Sequence, residues 1–228
     1  AGIRSPAGTR TWTDFSGSLG AAYRLAEGLS ASLRVARAWR PPTVNERYAQ
    51  GVHHGTAQYE IGDPTLAAER SLGLEGALRY SAGRLVLEGA VYRNTIDGFV
   101  FLLPRAPVQT IRGAFPGFNY AQTNARLRGV ELAAAWSPAA WLQLSSTGNL
   151  VRGTNLLDGG PLYDMPADRV TAQARVVGAS RALGTWYVGG GTVLVRRQDG
   201  VPEGIIYALP TAGYALMSAE FGSTGLHV

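Results

Sequence analysis

The chain has 228 residues, 46% of them hydrophobic and only 16% charged, with a formal net charge of +5. All 21 basic residues are Arg, scattered singly along the chain as in Leu33-Arg34-Val35-Ala36-Arg37, which argues against a nucleic-acid binder. There is no Cys, so disulfides are excluded, and no run of about 18 apolar residues that would form a transmembrane helix.

The opening Ala1-Gly2-Ile3-Arg4-Ser5-Pro6 lacks the apolar centre of a signal peptide, so the chain is expected to begin inside a longer exported protein. From there the sequence alternates with a period of two. Such alternation gives a strand one apolar and one polar face. Ten spanning strands are predicted, near 12–24, 29–40, 69–80, 84–94, 96–103, 124–136, 140–151, 167–178, 184–196 and 212–222. In the third, Leu72, Leu74, Gly76, Leu78 and Tyr80 oppose Ser71, Gly73, Glu75, Ala77 and Arg79. The run 96–103 is short enough to lie above a membrane. The last four residues fall inside a further strand or turn, so more barrel is expected to follow.

Many of these segments reach the roughly 9–11 residues that a tilted strand needs to cross a bilayer, against about 5–6 in ordinary globular sheets. Short links near Ala26-Glu27-Gly28, Ser81-Ala82-Gly83, Ser137-Pro138-Ala139 and Ala179–Ala182 alternate with long ones at 41–68, 104–123, 153–166 and 197–210. Outer-membrane barrels show this order, with short periplasmic turns and long outer loops. Trp12, Tyr23, Trp39, Tyr80, Trp136 and Trp141 sit near strand ends, as in an interfacial girdle. The fold class is therefore all-β, an antiparallel transmembrane β-barrel present as a partial barrel of about ten strands. Residues 1–228 form part of that single domain. Its polar face is expected to turn Glu75, Arg79, Glu131, Gln143, Asn149, Arg169, Gln173 and Arg175 into a watery lumen, and Leu74 faces lipid.

The link 41–68 carries the densest chemistry. His53 and His54 are adjacent, with Glu46, Tyr48, Tyr59, Glu60 and Asp63 nearby. Imidazole and carboxylate together suit zinc, copper, nickel or iron. Neighbouring residues on an extended chain point apart, so both His reach one ion only if the chain turns there, which Gly51 and Gly55 permit. Arg40-Pro41-Pro42 is suited to ending a strand, and Gly62-Asp63-Pro64 to turning into the next. Glu69 at that strand's mouth is expected to pair with Arg40. Arg105, Arg112 and Tyr120 are weaker candidates for a vestibule. No nucleophile elbow, His-Glu-x-x-His or phosphate loop appears, so no enzyme is expected.

Several stretches, in order, resemble TonB-dependent outer-membrane receptors. They are Arg40-Pro41-Pro42-Thr43-Val44-Asn45-Glu46-Arg47-Tyr48 with Gly62-Asp63-Pro64-Thr65-Leu66-Ala67-Ala68-Glu69; Tyr92-Arg93-Asn94-Thr95-Ile96-Asp97-Gly98-Phe99-Val100; Gly129-Val130-Glu131; and Met165-Pro166-Ala167-Asp168-Arg169. Asp63 stands where the family usually has Asn, and Arg47 where it has Leu. Gly51-Val52-His53-His54-Gly55 is similar to a His-containing loop of the family's zinc/copper-type branch. The resemblance implies a bacterial outer-membrane location and a barrel of about 22 strands, with an N-terminal plug and the last strands lying outside this chain. It implies TonB-dependent active import of a scarce metal ion or metal chelate, with passive porin conduction as the alternative. The implied partners are outer-membrane lipid, the TonB complex acting through the plug, and a small metal or chelate ligand. No built-in cofactor is implied; zinc, copper or chelated iron would be cargo.

Overall fold

The computed structural model describes residues 9–204, 206–207 and 209–225. The expected continuation at 226–228 and the opening segment 1–8 lie outside the described residues.

Period-two alternation produces strands throughout. They are β1 (Gly17–Ala26), β2 (Leu29–Arg40), β3 (Gln50–His53), β4 (Gln58–Ile61), β5 (Glu69–Ala82), β6 (Leu85–Thr110), β7 (Gly113–Ala139), β8 (Leu142–Asn155), β9 (Arg169–Ser180), β10 (Gly184–Val195) and β11 (Tyr214–Ser223). One helix among the described residues, α1 (Val44–Tyr48), follows β2. The sheet runs β1-β2-β5-β6-β7-β8-β9-β10-β11, and each neighbour pair on this path is antiparallel. It is an open wall, with β1 and β11 at its edges among the described residues.

Register sorts the two faces. Leu33, Gly76, Val91, Val130 and Leu150 stand in one row across five strands. The adjoining row on the other face holds Ser32, Ala77, Ala90, Glu131, Asn149 and Arg169. All the expected polar-face residues obey this parity. Glu75 stands beside Arg34 and Tyr92, Arg79 beside Glu88, Gln143 beside Arg175, and Gln173 beside Ser145. A hollow on this face is lined by Arg79, Glu88, Glu131, Thr147 and Asn149. Arg175 reaches over Gly189 of β10 to pair with Glu220 of β11 at 2.7 Å.

Three expectations about the elements change. The strands predicted near 84–94 and 96–103 are one strand, β6, of 26 residues, and it pairs with β7 of 27 residues. The supposed loop 104–123 is the far end of this hairpin; among the described residues the sheet has eleven strands, nine on its main path with β3 and β4 beside it, in keeping with a partial barrel of about ten. The sequence signal that looked like a break is a β-bulge between Ile96 and Phe99, with Gly98 at φ +68°. A left-handed residue bends a strand without ending it. The first strand starts at Gly17, leaving Trp12 outside it, while Tyr23, Tyr80, Trp136 and Trp141 do gather at the short-turn end. The link 41–68 holds α1 and the β3–β4 hairpin.

Toward the short turns, no other element among the described residues covers either face of the wall. Burial concentrates at the long-loop end, in Leu66, Ala68, Ile96, Val100, Phe118, Ala125 and Leu162. That small core is where the folded link 41–68 lies on the tall β6–β7 hairpin.

Candidate functional site

The link begins at a fork. Arg40 pairs with Glu46 at 2.9 Å and with Glu69, its register partner on β5. The expected Arg40–Glu69 pair is thus present, and a second acid joins it. Thr43 caps α1, its hydroxyl accepting from the Glu46 amide while the Glu46 carboxylate accepts from the Thr43 amide. This is a capping box, which satisfies two of the otherwise unpaired N–H groups at a helix start. Burial pushes the Glu46 carboxyl up, but the Arg40 guanidinium and the Thr43 amide outweigh it and hold the group below its ordinary value.

The link closes against α1. The Gly62 amide donates to the Ala49 carbonyl at 2.7 Å, and Asp63 to that of Glu46 at 3.0 Å. A Cβ on Gly62 would lie 2.5 Å from the Arg47 carbonyl carbon and 2.7 Å from the Ala49 nitrogen, so only glycine fits. The Asp63 side chain accepts from the amide and hydroxyl of Thr65 at 2.8 and 2.6 Å. Pro42 and Arg47 are buried, and the Arg47 guanidinium donates to the Pro64 carbonyl.

β4 then docks in parallel beside β7, pairing Tyr59, Glu60 and Ile61 with Gly117, Phe118 and Asn119. This brings together residues far apart in sequence. Glu60 is 5% exposed, and its Oε2 accepts from the Tyr120 hydroxyl at 2.8 Å and from Asn45 Nδ2 at 3.2 Å. Its Oε1 lies 3.5 Å from His53 Nδ1, which is also 3.1 Å from the Thr56 hydroxyl. Partial burial, then the neighbouring Glu60 carboxylate, pushes the Tyr120 phenol up to about 12. A buried carboxylate needs such donors, because an unpaired one would carry a large desolvation cost.

The expected metal set therefore separates. His53 and Glu60 meet, while His54 lies exposed in the turn between β3 and β4. Glu46 and Asp63 are committed to the fork and the turn, and Tyr59 alternates to the other face of β4 from Glu60. Among the described residues, no three His, Asp or Glu side chains group closely enough to hold an ion by themselves. The turn expected at Gly51 and Gly55 falls at 54–57, with Ala57 rather than a glycine at φ +53°. Tyr120 belongs to the Glu60 cluster rather than to a vestibule with Arg105 and Arg112. Arg105 instead donates to Asn119 at 3.2 Å, and Arg112 sits exposed at the hairpin tip.

Sequence reading missed Gln122 and Asn124, which with Glu69 hold this layer down. Gln122 accepts from the Ala67 amide and donates to the carbonyls of Ala67 and Gly98, at 2.7–2.8 Å. Asn124 accepts from the Gly98 amide at 3.1 Å, and Glu69 from that of Val100 at 2.5 Å. Together they satisfy backbone groups that the bulge withdraws from the ladder. The partners of all three lie 24 to 55 residues away, and no local pattern marks Gln122 or Asn124.

The family model described as "TonB dependent receptor-like, beta-barrel" matches residues 2–223. Among solved structures, the chain is similar to a protein titled copper transporter OprC, at 17% identity and a TM-score of 0.75, over 90% of this chain and 30% of that one. It is similar to the ferric yersiniabactin uptake receptor FyuA from Yersinia pestis, at 20% identity and a TM-score of 0.64, over 92% and 30%. A mutant of the ferric enterobactin receptor PfeA from Pseudomonas aeruginosa, in complex with enterobactin, gives 17% identity and a TM-score of 0.67, over 91% and 32%. The chain thus spans about a third of the length of these proteins. At such identities the likeness is one of fold.

Proposed function

The chain belongs to the TonB-dependent receptor β-barrel family of the bacterial outer membrane, and from that membership we propose that it forms part of the barrel of an active importer for a scarce metal ion or metal chelate. The observation that carries the reading is the family match over nearly the whole chain, on a wall with one apolar and one polar face. The names of its structural neighbours, a copper transporter and ferric-siderophore receptors, favour metal-bearing cargo.

In this reading the apolar face meets lipid and the polar face lines the barrel. A plug domain elsewhere in the protein closes the lumen and engages TonB. The folded layer over the β6–β7 hairpin faces outward and meets cargo first. His53 and Glu60 are the cargo contacts best placed there, offering one imidazole and one carboxylate 3.5 Å apart. Two protein ligands leave the remaining positions on a metal to a chelator or to water, which suits transient capture better than permanent storage.

The test is uptake by cells whose only receptor is the full-length protein. Labelled copper, zinc and ferric siderophore are supplied with and without functional TonB. Accumulation of one of them only with TonB is expected. Equal accumulation without TonB would instead establish passive conduction, and no accumulation of any metal form would reject the cargo class.

A further inference from the structure

The apolar face changes character toward the long loops. Directly above the row Leu33-Gly76-Val91-Val130-Leu150, the same face carries Arg93, Arg128 and Arg152 side by side on β6, β7 and β8. Arg126 stands one row higher, between Thr95 and Thr154. Like charges opposite one another on adjacent strands destabilise a sheet. Neighbouring acids do not compensate for all of them. Asp14 engages Arg37 and Arg70, and Asp168 engages Arg152 and Arg196. Asp97, also on this face, stands in register with Arg70. Among the described residues, Arg93, Arg126 and Arg128 form no ion pair, and Nε of Arg126 is buried without a hydrogen-bond partner.

The height of the row is informative. Arg93, Arg128 and Arg152 lie 8, 11 and 10 residues from Leu85, Ala139 and Leu142, the turn-side ends of their strands. A tilted strand crosses hydrocarbon in about 9–11 residues. The guanidinium groups therefore stand where lipid tails give way to headgroups in the outer leaflet. Just below them is an apolar groove. Gly148 leaves its floor low between Leu132 and Val170, and Val130, Leu150 and Leu194 complete the walls.

We propose that Arg93 and Arg128, with the groove over Gly148, form a docking site for a phosphorylated lipid of the surrounding leaflet. Its phosphate accepts from these two guanidinium groups, Arg152 keeping its pair with Asp168, and an acyl chain fills the groove. Guanidinium matches phosphate with paired, charge-assisted hydrogen bonds, and the anion relieves repulsion within the row. The inference rests on the family membership that places this face in lipid, and it is independent of the cargo.

The experiment uses the full-length receptor purified in neutral detergent. It is titrated with a bisphosphorylated lipid A or with the same lipid freed of its phosphates, and bound lipid is read by native mass spectrometry. The wild type should retain the phosphorylated form about tenfold better, as expected for charge-assisted contacts, and high salt should erase that preference. The double variant R93Q/R128Q should lose the preference while keeping the heat-modifiable electrophoretic migration of a folded barrel. Gly148→Leu should lower retention of both forms. Equal retention of the two lipids by the wild type, or a preference that survives high salt or R93Q/R128Q, would overturn the proposal. The lipid titration contains no cargo, so failure here is separable from failure of the import reading.

Discussion

The Tyr120 hydroxyl, on the tall β6–β7 hairpin, donates across 2.8 Å to Oε2 of the buried Glu60, on the short β3–β4 hairpin of the link. This bond and the β4–β7 pairing fasten the outer layer to the wall.

Because the Tyr120 phenol is held at about 12 against an ordinary 10.0, its native state keeps a proton that the unfolded chain loses sooner. The linked stability is complete below pH 10 and declines as pH rises toward about 12. Above pH 10, the link should become protease-sensitive before the barrel loses its β-sheet circular dichroism. Tyr120→Phe should loosen the link at neutral pH, with a local cost of about 1–3 kcal/mol for the charge-assisted bond lost, Asn45 remaining as a donor to Glu60. A link equally protected in both proteins would disprove this role.

The histidines separate in the same way. On the proposed reading, His53→Ala and Glu60→Gln should each weaken binding of copper or zinc to the full-length receptor by at least the roughly 10–100-fold that loss of an outer-shell partner costs. His54→Ala should leave it unchanged. Isothermal titration with the free ions checks this, and equal losses at His53 and His54 would refute the assignment.

Gly62→Ala should unseat the link without dissolving the wall. The added methyl would meet backbone atoms of Arg47 and Ala49 rather than flexible side chains, so relief requires moving α1. A cost of about 1–3 kcal/mol is expected for such overpacking. Limited proteolysis within 41–68, with intact heat-modifiable migration, is the diagnostic result.

Lipid exposure predicts a depth dependence. Leu74 stands in register with Arg93 at the headgroup end, whereas Leu132 is paired with Gly89 and Gly148 further down. Leu132→Arg should cost about 2–4 kcal/mol in folding into vesicles, and Leu74→Arg only about 0–1. Equal costs would mean that the membrane band is misplaced along the strands.

Much of the wall was legible because alternation is a local property. A residue's face follows from its parity along the strand, so Glu75, Glu131 and Arg175 could be assigned to the polar side before any partner was known. The Arg40–Glu69 pair was legible as well, since both residues flank one link. The extent of β6 was not. A bulge at Gly98 and a true strand end look alike in sequence, and the difference lies in whether Gln122, Asn124 and Glu69 are present to receive the displaced backbone groups.

By itself the sequence determined which side chains share a face and where the short turns between neighbouring strands fall, because these depend on backbone periods and on glycine and proline stereochemistry. Tertiary structure alone decided that His53 meets Glu60 while His54 does not, that Tyr120 joins them, and that Arg93, Arg128 and Arg152 align. Each of these depends on register between strands, and register is set by the sum of contacts across the whole sheet rather than by any neighbouring residue.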